Sequence, residues 1–262
     1  MLKPGLTKQD IDRLSRDLSV ENKSVTAQKV SAYYNGTDIS ERGRKLAEDI
    51  FRLMVADVQV KVREVLSESL KNSKTLPRDI ILKLINDQDS VAVPFIKYYA
   101  NLTNEDLISI LEAQSISKQK AVAQRKNLSE DISQYIVDKC PEEVVGVLIS
   151  NESAKIVEKT YDSIIDKYSE SDDIKKHLVY RSDLPVSVIE KIVSSLSDEL
   201  QRRLVIIHKL PDNIAADIVE QVKEKTTLRI SEEYSNDKQI EELVHQLYSA
   251  NHLTPSLVVR SI

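Results

Sequence analysis

Tryptophan is missing from this chain, cysteine occurs once, and only four glycines and seven prolines punctuate its 262 residues. So few turn formers cannot supply the loops of an all-β or α/β domain, which leaves helices as the working element. The lone Cys140 excludes an intramolecular disulfide and any multi-thiolate metal site, and fits a reducing compartment. It reads as a small buried hydrophobe. Aromatics make up 5 %, so the core is expected in thin helix-on-helix layers of Leu, Ile, Val and Ala. Charge of one sign is lacking too: 30 % of residues are charged but the net is −5, which gives no field toward DNA, RNA or an anionic membrane. The opening MLKPGLTKQDIDRL carries no signal-peptide apolar run. No stretch approaches the roughly eighteen apolar residues of a membrane span, and the expected compartment is the cytoplasm.

What is present is a repeat. Leu76, Leu102, Leu128, Ala154, Leu184, Leu210 and Asn236 serve as anchors at spacings of 26, 26, 26, 30, 26 and 26 residues. Six residues before them stand Leu70, Ile96, Val122, Leu148, Leu178, Leu204 and Ile230, all apolar. Four residues after them stand Ile80, Asp106, Ile132, Glu158, Val188, Ile214 and Ile240, with Leu107 able to take the place of Asp106. The fourth unit is degenerate, Ile156, Val157, Tyr161 and Ile164 carrying an apolar face in shifted register.

The four-residue spacing is a helix period, and the residue after the anchor explains where the helix begins. It is Pro77, Thr103, Ser129, Pro185 or Pro211 in five units. Proline is tolerated in a first turn because its missing N–H would be unpaired there, and Ser or Thr accepts a bond from an orphan amide. Each unit therefore reads as helix A, a tight turn and helix B. Helices of about ten residues do not persist alone in water and must be stabilised by stacking on neighbours. The expected fold is all-α, an α-solenoid of HEAT-like helical hairpins with a repeat of about 26 residues.

Two domains are expected: capping helices over 1–36 and the repeat array over 37–262. The caps are a helix from Lys8 to Leu18 behind Thr7 and one from Val25 to Tyr34 behind Ser24, ended by Asn35-Gly36. In the array's first stretch, Leu46, Ile50, Leu53 and Met54 are expected inward, followed by Asp57, Val58, Val62, Arg63, Val65 and Leu66. After Val244 the rhythm breaks, with Leu253 only 17 residues beyond Asn236. An odd closing helix restarting at Thr254-Pro255, or a cut from something longer, would account for it.

The segments LTKQDIDRL, GRKLAEDIFRLMVADVQVKVREVLSESL, LPRDIILKLINDQDSVAVPFI, KAVAQRKNLSEDIS and RSDLPVSVIEKIVSSLSDEL, in that order, resemble domain-of-unknown-function family 2336 of alphaproteobacteria. The resemblance runs from about residue 6 to the C-terminus. It implies a bacterial cytosolic protein with HEAT-like helical repeats and assigns no activity.

Chemistry-bearing patterns are sparse. His177, His208, His245 and His252 form no H-E-x-x-H or H-x3-H pair in register with a carboxylate, so no metal site is expected. Cys140 has no histidine near it in sequence. Neither G-x-x-x-x-G-K-S/T nor G-x-G-x-x-G occurs, and no cofactor is expected. Carboxylate pairs such as Asp172-Asp173 and Glu232-Glu233 read as solvated loop charges rather than catalytic residues.

One constellation stands out at the turns between helix A and helix B, which stacking would bring into a row. The row reads Tyr98-Tyr99, Arg125-Lys126, Asn151, Tyr180-Arg181, Ile207-His208 and Tyr234. Tyrosine and arginine are favoured at interface hot spots, so Tyr98, Tyr99, Arg125, Asn151, Tyr180, Arg181 and His208 are the candidate partner-binding residues. A structural reading competes: cations at helix C-termini stabilise the dipole, and Arg125 and Arg181 could simply tie adjacent repeats. The expected function is a non-enzymatic protein-interaction scaffold or adaptor with a protein partner. The second class is a HEAT-like nucleic-acid-binding or base-excision protein. It is disfavoured, because the helix B surfaces mix Lys83, Asp87, Asp138, Lys139, Glu190, Lys191, Asp217 and Glu220 instead of presenting a basic stripe.

Overall fold

The computed structural model describes residues 19–113, 115–193 and 195–210. Among these described residues there are thirteen α-helices and no strand. They are α1 (Val20–Tyr34), α2 (Glu41–Met54), α3 (Val60–Leu70), α4 (Arg78–Ile85), α5 (Asp89–Tyr98), α6 (Asn104–Ala113) and α7 (Ile116–Ala123). Then follow α8 (Glu130–Lys139), α9 (Glu142–Ile149), α10 (Glu158–Lys167), α11 (Asp172–Tyr180), α12 (Val186–Val193) and α13 (Asp198–His208). The described residues form helices and no strand, as the composition implied. The expected Lys8–Leu18 helix, Pro211, Tyr234, Asn236, His245, His252 and the closing helix at Thr254-Pro255 lie outside the described residues.

Local chemistry starts these helices. Ser19, Ser40, Ser115, Ser129, Ser171 and Ser197 each cap one, the side-chain oxygen accepting from the amide three residues on. Thr103 and Asp106 form a capping box: the Asp106 amide donates to Thr103 Oγ1 at 3.2 Å and the Thr103 amide donates to Asp106 Oδ2 at 3.0 Å. Pro77, expected in the first turn of its helix, stands one residue earlier as the N-cap of α4, and Pro141 takes the same place before α9. The expected Ser24 start is also corrected, since α1 begins five residues earlier on the Ser19 cap.

The chain divides into two compact units, Met1–Ile164 and Ile165–Ile262. In the first, α1 packs on α3, α3 on α5, α5 on α7 and α7 on α9, a row of odd-numbered helices. The intervening helices close hairpins with them: α2 meets α1 and α3, α4 meets α5, α6 meets α7 and α8 meets α9. The packed hairpin is thus helix B with the helix A that follows it, a correction to the expected pairing of helix A with the helix B after the tight turn. In the second unit α11 packs on α13. The residues six before the described anchors, from Leu70 to Leu204, are all buried. Burial of such Leu and Ile side chains is worth about 1.5–3 kcal/mol each, which is what holds helices too short to stand alone. Cys140 is buried, as expected of a small hydrophobe.

Two expectations about the core are corrected. Leu46 and Leu53 of α2 are 45 % and 72 % exposed, while Ala47, Phe51 and Met54 face inward. The helix is turned by one position because the Phe51 ring meets Tyr34 edge-on at 5.3 Å and 72°. Gly43 makes room on the same side, since a Cβ there would stand 2.3 Å from the Tyr33 hydroxyl. Asp106 also stays buried at a position that is apolar in other units, instead of yielding it to Leu107. Arg78 makes this possible by donating from Nη1 to Asp106 Oδ2 at 2.5 Å and from Nη2 to Oδ1. In the degenerate unit, Tyr161 and Ile164 are buried but Val157 is 39 % exposed.

Pro94 lies inside α5 and has no N–H for the Ser90 carbonyl. Both residues line an open groove of about 270 Å³ with Gln28, Lys61, Val65 and Glu68.

Candidate functional site at the inter-hairpin turns

The turns from helix A to helix B inherit their chemistry from two neighbours in sequence, one side chain turning in and the next turning out. In the first unit, Tyr99 is buried and stacks on Phe95 with ring centroids 4.7 Å apart. Burial pushes its phenol up from the ordinary value, against a hydrogen bond with the Leu76 backbone that pulls it down. Tyr98 points the other way and is 49 % exposed. Lys71 Nζ lies 4.7 Å and Lys97 Nζ 5.4 Å from the centre of its ring.

Arg125 was expected on the exposed edge and is 8 % exposed. Its Nη1 donates to the Tyr99 carbonyl at 2.9 Å and also to the Ile96 carbonyl, while Nη2 donates to Ala100 at 3.3 Å. These are the orphan acceptors at the end of α5, so the guanidinium caps the C-terminus of a helix in the preceding hairpin. Burial pushes its pKa below the ordinary arginine value. Asn151 continues the pattern one unit on, its Nδ2 donating to Ala123 at 2.8 Å and Arg125 at 2.7 Å. Asn127, with φ 54°, takes the left-handed turn beside it, and its amide donates to Ser153 Oγ at 3.2 Å. In the second unit, His208 Nε2 donates to the Val179 carbonyl at 3.0 Å. Arg181 is 3 % exposed and Tyr180 46 %.

Of the seven candidate residues, Tyr98 and Tyr180 are therefore open to solvent. Tyr99, Arg125 and Arg181 are interior, and Asn151 and His208 are half-buried and bonded to backbone. The structural reading of Arg125 as a tie between hairpins is the one its geometry supports. Lys71 and Lys97, which the sequence reading passed over, are the cations that reach the exposed ring. Their signal was available: they stand 26 residues apart, each five residues before its anchor.

The opposite turns, from helix B back to helix A, carry an alternating chain of charge. Lys23 Nζ meets Asp57 Oδ2 at 2.6 Å. Arg63 donates to the Asp57 carbonyl at 2.7 Å and to both Asp87 oxygens at 2.6 and 2.9 Å. Burial alone would raise the Asp57 and Asp87 carboxyls, but Lys23, Arg63 and the amides of Gln59 and Gln88 outweigh it and hold both below the ordinary value. Lys118, buried on α7, is pushed down by desolvation, with Asp89 and Asp87 opposing. Such pairs consume charge in joining helices. Among the described residues, no group of three or more His, Cys, Asp or Glu that could hold a metal ion is found, and no helix is long and apolar enough to cross a membrane.

No curated protein and no solved structure matches the chain. A family model does, over residues 91–262, a span that opens in α5 and leaves out the earlier segments that also carried the resemblance. Because that match covers most of the chain, the protein belongs to domain-of-unknown-function family 2336 (DUF2336), described as uncharacterised protein conserved in bacteria.

Proposed function

We propose that the chain is a non-enzymatic scaffold or adaptor of the bacterial cytoplasm, built as a HEAT-like α-solenoid, that holds a protein partner on its turn edge. The observation that carries this reading is the row α1, α3, α5, α7 and α9, each helix packed on the next. Stacked hairpins of this kind present a long surface per residue and leave little enclosed volume for chemistry. The charged side chains support it as well. Arg63, Arg78, Arg125, Asp57, Asp87 and Asp106 are committed to joining helices and are not gathered around a cleft. A duplex-binding reading would need a basic stripe, whereas Arg52 here sits between Asp49 and Asp79.

The test is capture from native bacterial cytosol followed by mass spectrometry and size exclusion. A stoichiometric protein partner that co-elutes with the chain is the expected result. Recovery of nucleic acid alone, or turnover of a small molecule by the purified chain, would overturn the reading.

A further inference from the structure

We propose that the edge around Tyr98 binds an acidic segment of a partner protein, carboxylates pairing with Lys71, Lys97, Lys74 and Lys126 and an apolar side chain lying on the Tyr98 ring. The proposal rests on the scaffold reading and gives its partner a chemistry.

Two hairpins bring cations to one ring. Lys71 and Lys97 occupy the same place in successive units, five residues before Leu76 and Leu102, and both ammonium groups lie within 5.4 Å of the Tyr98 ring centre. Lys74 and Lys126 share another repeated place, two residues before Leu76 and Leu128, and both are exposed. One carboxylate answers them: Glu68 pairs with Lys71. Among the described residues, no carboxylate pairs with Lys74, Lys97 or Lys126. Asp79 and Asp106, at the starts of α4 and α6, are already engaged by Arg52 and Arg78. Glu152, in the Lys126 position one unit on, ends the cationic stretch.

The ring is the second half of the site. A tyrosine 49 % exposed with two cations over its face leaves apolar area in water that a partner can cover, and tyrosine contributes large contact area at little entropy cost. Tyr180 holds the same position, four residues before its anchor, in the second unit and is exposed to the same degree, at 46 %. Four lysines beside an exposed ring match a short segment that carries both carboxylates and an apolar side chain, whereas nucleic-acid binding draws on a longer run of phosphate contacts than this edge supplies before Glu152. That favours a protein partner over nucleic acid.

Fluorescence anisotropy of the full chain with a fluorescein-labelled peptide of alternating Glu and Leu tests this. The peptide should bind, the matching Gln-Leu peptide should not, and added salt should weaken the complex. Lys71→Gln with Lys97→Gln should weaken it about tenfold or more, and Tyr98→Ala several-fold. Lys74→Gln with Lys126→Gln, both at exposed positions, should weaken it with helicity unchanged by circular dichroism, which guards against a folding defect in the first pair. Unchanged affinity in both double variants, or an oligonucleotide of equal charge binding as tightly as the peptide, overturns the proposal. Capture from cytosol separates it from the scaffold reading. If the lysine variants retain the partner that the wild type retains, this edge is wrong and the scaffold stands; if they lose it, both are supported.

Discussion

The Arg125 guanidinium donates to the carbonyl of Tyr99 at 2.9 Å, joining two residues 26 positions apart, one full repeat. Asn151 does the same to Arg125, at 2.7 Å over another 26. A side chain at a fixed place in each of these units thus closes the helix end of the unit before it, and the turn edge becomes a chain of hydrogen bonds across hairpins.

Arg125→Ala should therefore destabilise the first unit by roughly 2–4 kcal/mol, because it strands buried carbonyls at the end of α5. Its exposed neighbour bears none of this: Lys126→Ala should change stability by less than about 0.5 kcal/mol. Urea unfolding followed by circular dichroism measures both. Equal and small effects would show that Arg125 is not a tie.

Acid should weaken the protein through three carboxylates. Asp57, Asp87 and Asp106 all have pKa values held below the ordinary one. The folded state then binds fewer protons than the unfolded state, so the stability they confer is full above about pH 5 and is lost as pH falls through 4 and below. The melting temperature should be flat on their account from pH 7 to 5 and drop at lower pH, with a shallower drop in Asp106→Asn. An unchanged slope in that variant would refute the role given to the Arg78–Asp106 pair.

Leu128 and Ser129 adjoin but should answer very differently to substitution. Leu128→Asp places an unpaired charge at a 3 % exposed anchor and should cost several kcal/mol or prevent folding. Ser129→Ala removes the cap of α8 and should cost about 1 kcal/mol. Differential scanning calorimetry of the two variants decides, and similar mild losses would break the repeat register.

Pro94→Ala should stabilise, since alanine restores an amide to the Ser90 carbonyl inside α5, a gain of roughly 1–3 kcal/mol. A lower denaturation midpoint in this variant would mean that the proline's bend is built into the packing of α3 on α5.

Helix starts were open to reading because a cap acts within three or four residues. Ser129 and the Thr103 position announced themselves by their place after an anchor, and the structure puts a cap at Ser129 and a capping box at Thr103. The α2 face was less legible. Leu46, Ile50 and Leu53 have the same helical spacing as Ala47, Phe51 and Met54, and spacing alone cannot choose between two adjacent stripes. The Tyr34 ring, on another helix, made the choice.

The sequence by itself determined that the described residues are helical, where the helix B elements α4, α6, α8 and α12 begin, and that the residues six before each described anchor, from Leu70 through Leu204, are buried. Those outcomes follow from caps, helix period and apolar burial, which act over a few residues or repeat with the chain. Tertiary structure alone decided the fate of the polar residues. Arg125 faces inward because three carbonyls lie 25 to 29 residues away in sequence. Asp106 stays buried because Arg78 arrives from 28 residues upstream, and Tyr98 and Tyr99 part ways because a helix end has one side against the stack and one against water. A long polar side chain is as stable in solvent as in a buried cage of acceptors, to within the small net value of its hydrogen bonds, so only the presence of the cage settles where it goes.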